Sequence, residues 1–455
     1  MKKLNRRDFL KLGAIVSASG ILASCAQKPE ETEAPAVEPD VGEVPVSAEA
    51  VPAVYWYRWG NLDPALEKIL ETEEYKEAIK GNILEYKGAV EFEAVLTAVA
   101  AGTPPDGGSD FDYPNLWARG AALDVTDMVA ASPAIKKDDI AAGLWEGSFY
   151  DGRMIGVPGI EGFNWWGMNV NAKAAEEAGL DIDNIPLTWE GLLEWHKALT
   201  KFDDSGNLLQ FGLDPWDAMA NEPDFAATSW GFQWWNEETK TINLNNELMA
   251  ESYEVMGEFI KHVGPDKFAG MRQVEGNGTW GASYNAGVQT MIMEGYWHPG
   301  ETQIQQPDLA PYNRSTWAPV PASREGAKIM ATGPHFIQLF KDGKNTDGMF
   351  KFAEHMISDS ALDIMFSEVG WIFGKKSWLA NVDKDTYPGL AFYVDATDQV
   401  TDWIVGRRCP LHWYVTNQSA ELRERVYRGE MTSVEAVAEL QARALAEWDA
   451  QGLDE

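Results

Sequence analysis

The chain is poor in cysteine, histidine and positive charge. It has two cysteines, six histidines and 37 basic residues against 71 acidic ones in 455. Two cysteines permit one disulfide at most, so a disulfide framework is excluded. No CxxC, HExxH or glycine-rich phosphate loop occurs, which removes the common zinc, redox and nucleotide signatures. The acidic turn Asp203-Asp204-Ser205-Gly206-Asn207 starts like a calcium loop, but it lacks the closing Glu and reads as a plain turn. No metal and no cofactor is expected. A formal net charge of −34 repels nucleic acid and anionic headgroups and disfavours phosphorylated solutes. Beyond the N-terminus no apolar run is long enough to cross a bilayer as a helix.

The N-terminus is the most specific stretch. Lys2, Lys3, Arg6, Arg7 and Lys11 precede an apolar run from Leu12 to Ala23, short for a permanent span but suited to a signal peptide. Asn5-Arg6-Arg7-Asp8-Phe9-Leu10-Lys11 resembles a twin-arginine export signal. Leu22-Ala23-Ser24-Cys25 is similar to a lipobox, which predicts acylation of Cys25 and removal of residues 1–24. Losing five basic residues and one acidic one leaves the mature chain near −38. Residues 25–52 are rich in Pro, Glu, Ala and Val, with no apolar periodicity, and read as a lipidated cysteine on a flexible tether. Cys409 then has no intramolecular disulfide partner.

About 400 residues remain, enough for two domains. Twenty tryptophans are the compositional feature that bears on chemistry. Indole offers a flat apolar face and one N–H donor, and the C–H face of a pyranose stacks on such a surface while carboxylates and amides take its hydroxyls. Strand-like Ala53–Tyr57 leads to a helix with Asp63 as its cap and Pro64 at its first position. The strand–helix alternation that follows argues for a βα sheet. Asp151-Gly152 predicts a hairpin, Thr188 caps a helix from Trp189, and Thr432 with Glu435 has capping-box spacing.

The order of segments resembles the bacterial extracellular solute-binding proteins of ABC importers, in the branch that takes sugars and oligosaccharides. The resemblance rests on AAGTPPD with LWARGAALDVTD, DGRMIGVPG followed by GMNVNAKAAEEAGLDIDNIPLTWEGLLEW, then MIMEGYW, WAPVPA and MTSVEAVAEL. Met168-Asn169-Val170 stands where that family usually has Tyr-Asn-Lys, and 382–412 matches nothing placeable. The resemblance implies an α/β fold of two lobes, of the type II periplasmic-binding kind. Lobe 1 is expected at 53–160 and 322–371, and lobe 2 at 161–321 and 372–455. Crossings are expected near Pro158–Asn164, Thr316–Ala322 and Trp371–Ser377. It further implies a carbohydrate held in the cleft and lobes that close by hinge motion. The partners implied are ABC permease subunits, with a monomer held outside the cytoplasm by its lipid.

The same resemblance places cleft residues at strand ends and crossings. Trp59 lies past the first strand; Asp112 and Trp117 lie in or after the loop SDFDYPNLW. Glu161, Asn164 and Trp166 lie on the first crossing, with one of Trp165 and Trp166 expected to be packing. Trp230 and Trp235 lie in the second lobe, and Trp297 in MIMEGYW is the leading candidate, with Glu294 read as turn or rim. Trp280, Trp371 and Trp413 complete the set. Alternatives remain: a cationic amine held by acidic groups and indole faces, a sensor without transport, or a glycoside-active enzyme with carboxylates about 5–5.5 or 6.5–9.5 Å apart.

Overall fold

The computed structural model describes residues 51–58, 62–159, 164–271, 282–333 and 336–453. In the strand Ala53–Tyr57, Ala53, Tyr55 and Tyr57 are buried while Val54 and Trp56 are half-buried, the period-2 pattern of a sheet with one face more deeply packed. This strand sits second in a five-stranded sheet ordered Leu84–Lys87, Ala53–Tyr57, Gly107–Ser109, Phe336–Leu339, Val157–Pro158. The first three strands are parallel, as the strand–helix alternation predicts, and Phe336–Leu339 runs antiparallel to both its neighbours. Gly107 has a packing reason: a Cβ there would meet Met349 Cγ at 2.6 Å, so the absent side chain admits the helix Thr346–His355.

A second five-stranded sheet is ordered Asn313–Trp317, Gly167–Asn171, Gln289–Glu294, Leu208–Leu213, Lys201–Phe202. Gln289–Glu294 is buried along its whole length. Its run of Met and Ile fits a central strand covered on both faces. The helix Glu247–Val263 begins where the Asn246 side chain accepts the Met249 N–H at 2.9 Å. His412–Tyr427 and Ser433–Gln451 pack against it, and the latter starts with the Thr432/Glu435 capping box.

The two sheets are the centres of two α/β lobes. The chain passes from the first to the second between Pro158 and Gly167 and returns between Trp317 and Phe336. On the return, Ile329–Thr332 pairs in parallel with Asp402–Val405, and the Trp165 N–H donates to the Ala331 carbonyl at 2.9 Å. Three distant pieces of chain therefore form one ribbon between the lobes. Asp63 departs from its expected role. Leu62 holds the cap position, and the Asp63 carboxylate instead accepts the hydroxyl of Tyr57, whose ring reaches it from the neighbouring strand.

Candidate functional site

Arg407 lies just past Asp402–Val405 and faces both lobes. Its backbone is left-handed (φ 60°), and its N–H donates to Asp224 Oδ2 at 2.6 Å. The guanidinium gives Nη1 to Asp110 at 2.8 Å and Nη2 to Glu222 at 2.6 Å, with Nε on Glu222 at 3.1 Å. Asp110 follows the first-lobe strand Gly107–Ser109, and it too is left-handed (φ 58°). Glu222 and Asp224 flank Pro223, the first residue of the second-lobe helix Pro223–Trp230. Indole rings of Trp165 and Trp413 each lie 4.7 Å from the guanidinium carbon, so cation–π contact adds to the ion pairs. Arg58, at the end of the first strand, reaches the same Trp413 ring at 4.7 Å and stands 3.9 Å from Asp110.

His412 stands 3.4 Å from Glu222 and 3.5 Å from Asp224, a spacing that also suits a metal ion. Arg407 and the Trp234 N–H already occupy those carboxylates, and a guanidinium in contact would repel a divalent cation. The set reads as an ion-pair network. Burial alone raises the Glu222 carboxyl, but Arg407 and His412 outweigh it and hold it at about 2. Asp112 caps the helix Tyr113–Ala118 by accepting the Asn115 N–H at 3.1 Å. Burial pushes it up to about 7 against the pull of that N–H, His412, Arg119 and Arg407.

A second group gathers where the helix His298–Gln305 meets Asp359–Val369. The latter packs on Asp63–Glu71 of the first lobe. Trp297 donates its indole N–H to Glu294 Oε2 at 2.7 Å, and Trp371 donates to Glu301 Oε1 at 3.1 Å, the second bond crossing between lobes. Glu294 is fully buried and its Oε1 has no hydrogen-bond partner. Burial, then the charges of Glu301 and Asp217, push its carboxyl well above the usual range. His298, beside Trp297, supplies no countercharge, because burial lowers it to about 3. Each lobe thus brings indoles and carboxylates to the seam. A family model described as bacterial extracellular solute-binding protein matches residues 59–363.

The chain belongs to that family. Among solved structures, this solute-binding protein is similar to CpMnBP1 with mannotriose bound: 17% identity, TM-score 0.73, covering 87% of this chain and 100% of that one. It is also similar to a solute-binding protein from Thermotoga lettingae bound with α-D-tagatose, at 16% identity, TM-score 0.70, and 86% and 98% coverage. A third is an ABC substrate-binding protein from Listeria monocytogenes in complex with cycloalternan, at 15% identity, TM-score 0.69, and 87% and 98% coverage. These likenesses establish the two-lobe type II fold. Comparison with curated proteins gives no match.

The solute-binding protein distributes its sequence-predicted residues unevenly. Trp59, Glu161, Trp280 and Cys25 lie outside the described residues. Trp297 and Trp371 share the Glu294/Glu301 group, while Trp413 and Asp112 border the Arg407 network. Trp117 is half-buried against the cluster of Tyr113, Tyr150, Ile155 and Phe336. Trp166, Trp230 and Trp235 are packed within the second lobe: Trp166 edge-on to Phe225, Trp230 stacked on Trp189, Trp235 against Trp448. Asn164 is fully buried and donates to the Tyr393 carbonyl at 2.6 Å and to Thr397 at 3.0 Å. Its Nδ2 is spent on the protein rather than offered to a solute. Glu294, expected at a turn or rim, instead ends a buried strand. Sequence reasoning missed Arg407, Glu222, Asp224, His412 and Glu301, whose partners are far apart in the chain.

Proposed function

We propose that this protein captures a sugar or oligosaccharide between its lobes and delivers it to an ABC importer. The observation that carries this reading is Trp297 and Trp371, both buried, each with its indole N–H on a buried carboxyl group, at a seam to which both lobes contribute. Indole faces stack on sugar rings, and carboxyl groups hydrogen-bond to sugar hydroxyls. The reading includes a signal peptide of the twin-arginine type, lipid attachment at Cys25, a location outside the cytoplasm, and a monomer that binds rather than cleaves its solute. The sugars bound in the structural relatives point the same way.

The test is a thermal-shift screen with mannobiose, mannotriose, cycloalternan and other neutral saccharides beside linear polyamines. A ligand at 100 times its Kd adds about 2.7 kcal/mol of stability, which raises the melting temperature. A shift with a neutral saccharide, and no cleavage of it on incubation, is expected. A shift with amines alone refutes the sugar assignment, and turnover refutes the assignment as a binder. Arg6→Lys with Arg7→Lys is expected to stop export; normal export rules out the twin-arginine route.

A further inference from the structure

The stretch 382–412 holds two adjacent arginines, and each spans the lobes. Arg407 joins Asp110 of the first lobe to Glu222 of the second. Arg408 holds Glu237 of the second lobe through Nε at 2.6 Å and Nη2 at 2.8 Å. Its Nη1 donates to the carbonyl of Phe149, in the first-lobe hairpin Phe149–Met154, and its guanidinium carbon lies 5.1 Å from the Tyr150 ring. Both arginines are anchored on the second lobe: Arg407 N–H is bound to Asp224, and Cys409 packs with Trp234, Leu411 and Val415. Their side chains are the parts that reach across.

We infer that Arg407 and Arg408 are the positioning residues that fix the lobes in the closed arrangement, a double latch that acts before any solute contributes. Arg407 has to be desolvated to reach Asp110, and Asp110 is buried with it. When the lobes part, water replaces the carboxylate of the first lobe, while Glu222 and Asp224 stay with Arg407 on the second. The pair therefore counts only in the closed state, which is the condition for shifting an equilibrium between two states. The left-handed backbone at both Asp110 and Arg407 fits this placement, since such conformations persist only where the surroundings hold them.

The variants that separate a latch from a structural role remove the crossing contacts, Arg408→Met together with the Arg408–Glu237 pair inside the second lobe, so each is read by lobe distance and by stability. Asp110→Asn keeps shape, and Asn tolerates the left-handed backbone; the Arg407–Glu222 pair of the second lobe is left intact. Arg408→Met removes the reach to Phe149. Spin labels at Glu93→Cys on the helix Phe92–Ala100 and at Glu251→Cys on Glu247–Val263, both exposed, report lobe-to-lobe distance in the full chain carrying Cys25→Ser. Buried Cys409 stays unlabelled. Without any added solute, the parent is expected to give one short-distance population. Asp110→Asn should lower the short-to-long ratio at least about tenfold, because an unmatched buried guanidinium contact disfavours closure. The double variant should be mostly long, and Arg407→Lys should keep part of the short population.

Variants that keep native near-ultraviolet dichroism yet show the parental distances overturn the inference. So does a lowered urea midpoint with unchanged distances, because that is the mark of a purely structural residue. If Asp110→Asn fails to fold, Arg408→Met decides by the same readout. No sugar enters the assay, so its outcome is independent of the saccharide screen.

Discussion

Replacing Glu294 by Gln isolates one buried titration. The carboxyl is fully buried, with Oε2 on the Trp297 N–H and Oε1 unpartnered, and burial with Glu301 and Asp217 raises it well above the ordinary range. The folded protein therefore holds a proton that the unfolded chain has released above about pH 4.3. Stability from this group is complete below that value. It falls as pH rises toward the folded pKa, at a slope of at most about 1.36 kcal/mol per pH unit for one proton. Glutamine keeps an oxygen for Trp297, puts its amide nitrogen where the carboxylate had no partner, and does not titrate. Any fixed cost of the amide is the same at every pH and drops out of the slope. Urea unfolding of both proteins from pH 4 to 8 is the assay. The variant is expected to gain on the parent steadily as pH rises from about 4.3, then to level off once the folded group has ionised. Parallel stability curves would falsify the assignment of a raised carboxyl to Glu294.

Two further perturbations probe the seam and the second lobe. A Cβ at Gly333 would lie 1.3 Å from Trp165 Cζ2, and that indole is pinned beneath Arg407, so Gly333→Ala is expected to cost about 3 kcal/mol or more in urea; a loss within about 0.5 kcal/mol would show that the ring can yield. Cys409 is fully buried, and burial pushes its thiol well up, so in a chain carrying Cys25→Ser a thiol reagent should react only on unfolding; reaction at the rate of a free thiol in native buffer contradicts that burial.

Features decided by near neighbours in the chain were legible. Asp151-Gly152 turns the hairpin with both residues at positive φ, and Thr188 and Thr432 cap the helices they precede. The parallel strands around Ala53–Tyr57 follow from the alternation of strand and helix. Arg407 was not legible, because its carboxylates lie 185 and 297 positions away and meet it only when two lobes are assembled. Tryptophan number signalled something, but not which rings would face a solute. Trp230 on Trp189 and Trp297 beside Glu294 present the same flat face, and the fold buries both, so what separates them is that Trp297 lies near the seam. Glu294 was misplaced for a related reason: a glutamate before glycine suggests a turn, and nothing local shows that the strand stays buried to its last residue.

The seam between the lobes combines apolar packing with polar contacts, and the polar ones suit a seam that opens. An aliphatic seam would gain stability with every square ångström covered and would expose an apolar patch on parting. Several of the contacts that cross here are polar: Asp110 to Arg407, Arg408 to the Phe149 carbonyl, Trp371 to Glu301, and Asn115 to Gln451 at 3.4 Å. Each of these groups can exchange its partner for water. At the same seam Gly300 meets Gly370, and a Cβ on the former would lie 2.4 Å from the Cα of the latter. Backbone meets backbone there without a side chain to interlock. Interfaces inside a chain that must move are more polar than permanent ones. An acidic, tryptophan-rich composition suits such a seam, because carboxylates and indole N–H groups serve equally as contacts when shut and as hydrated surface when open.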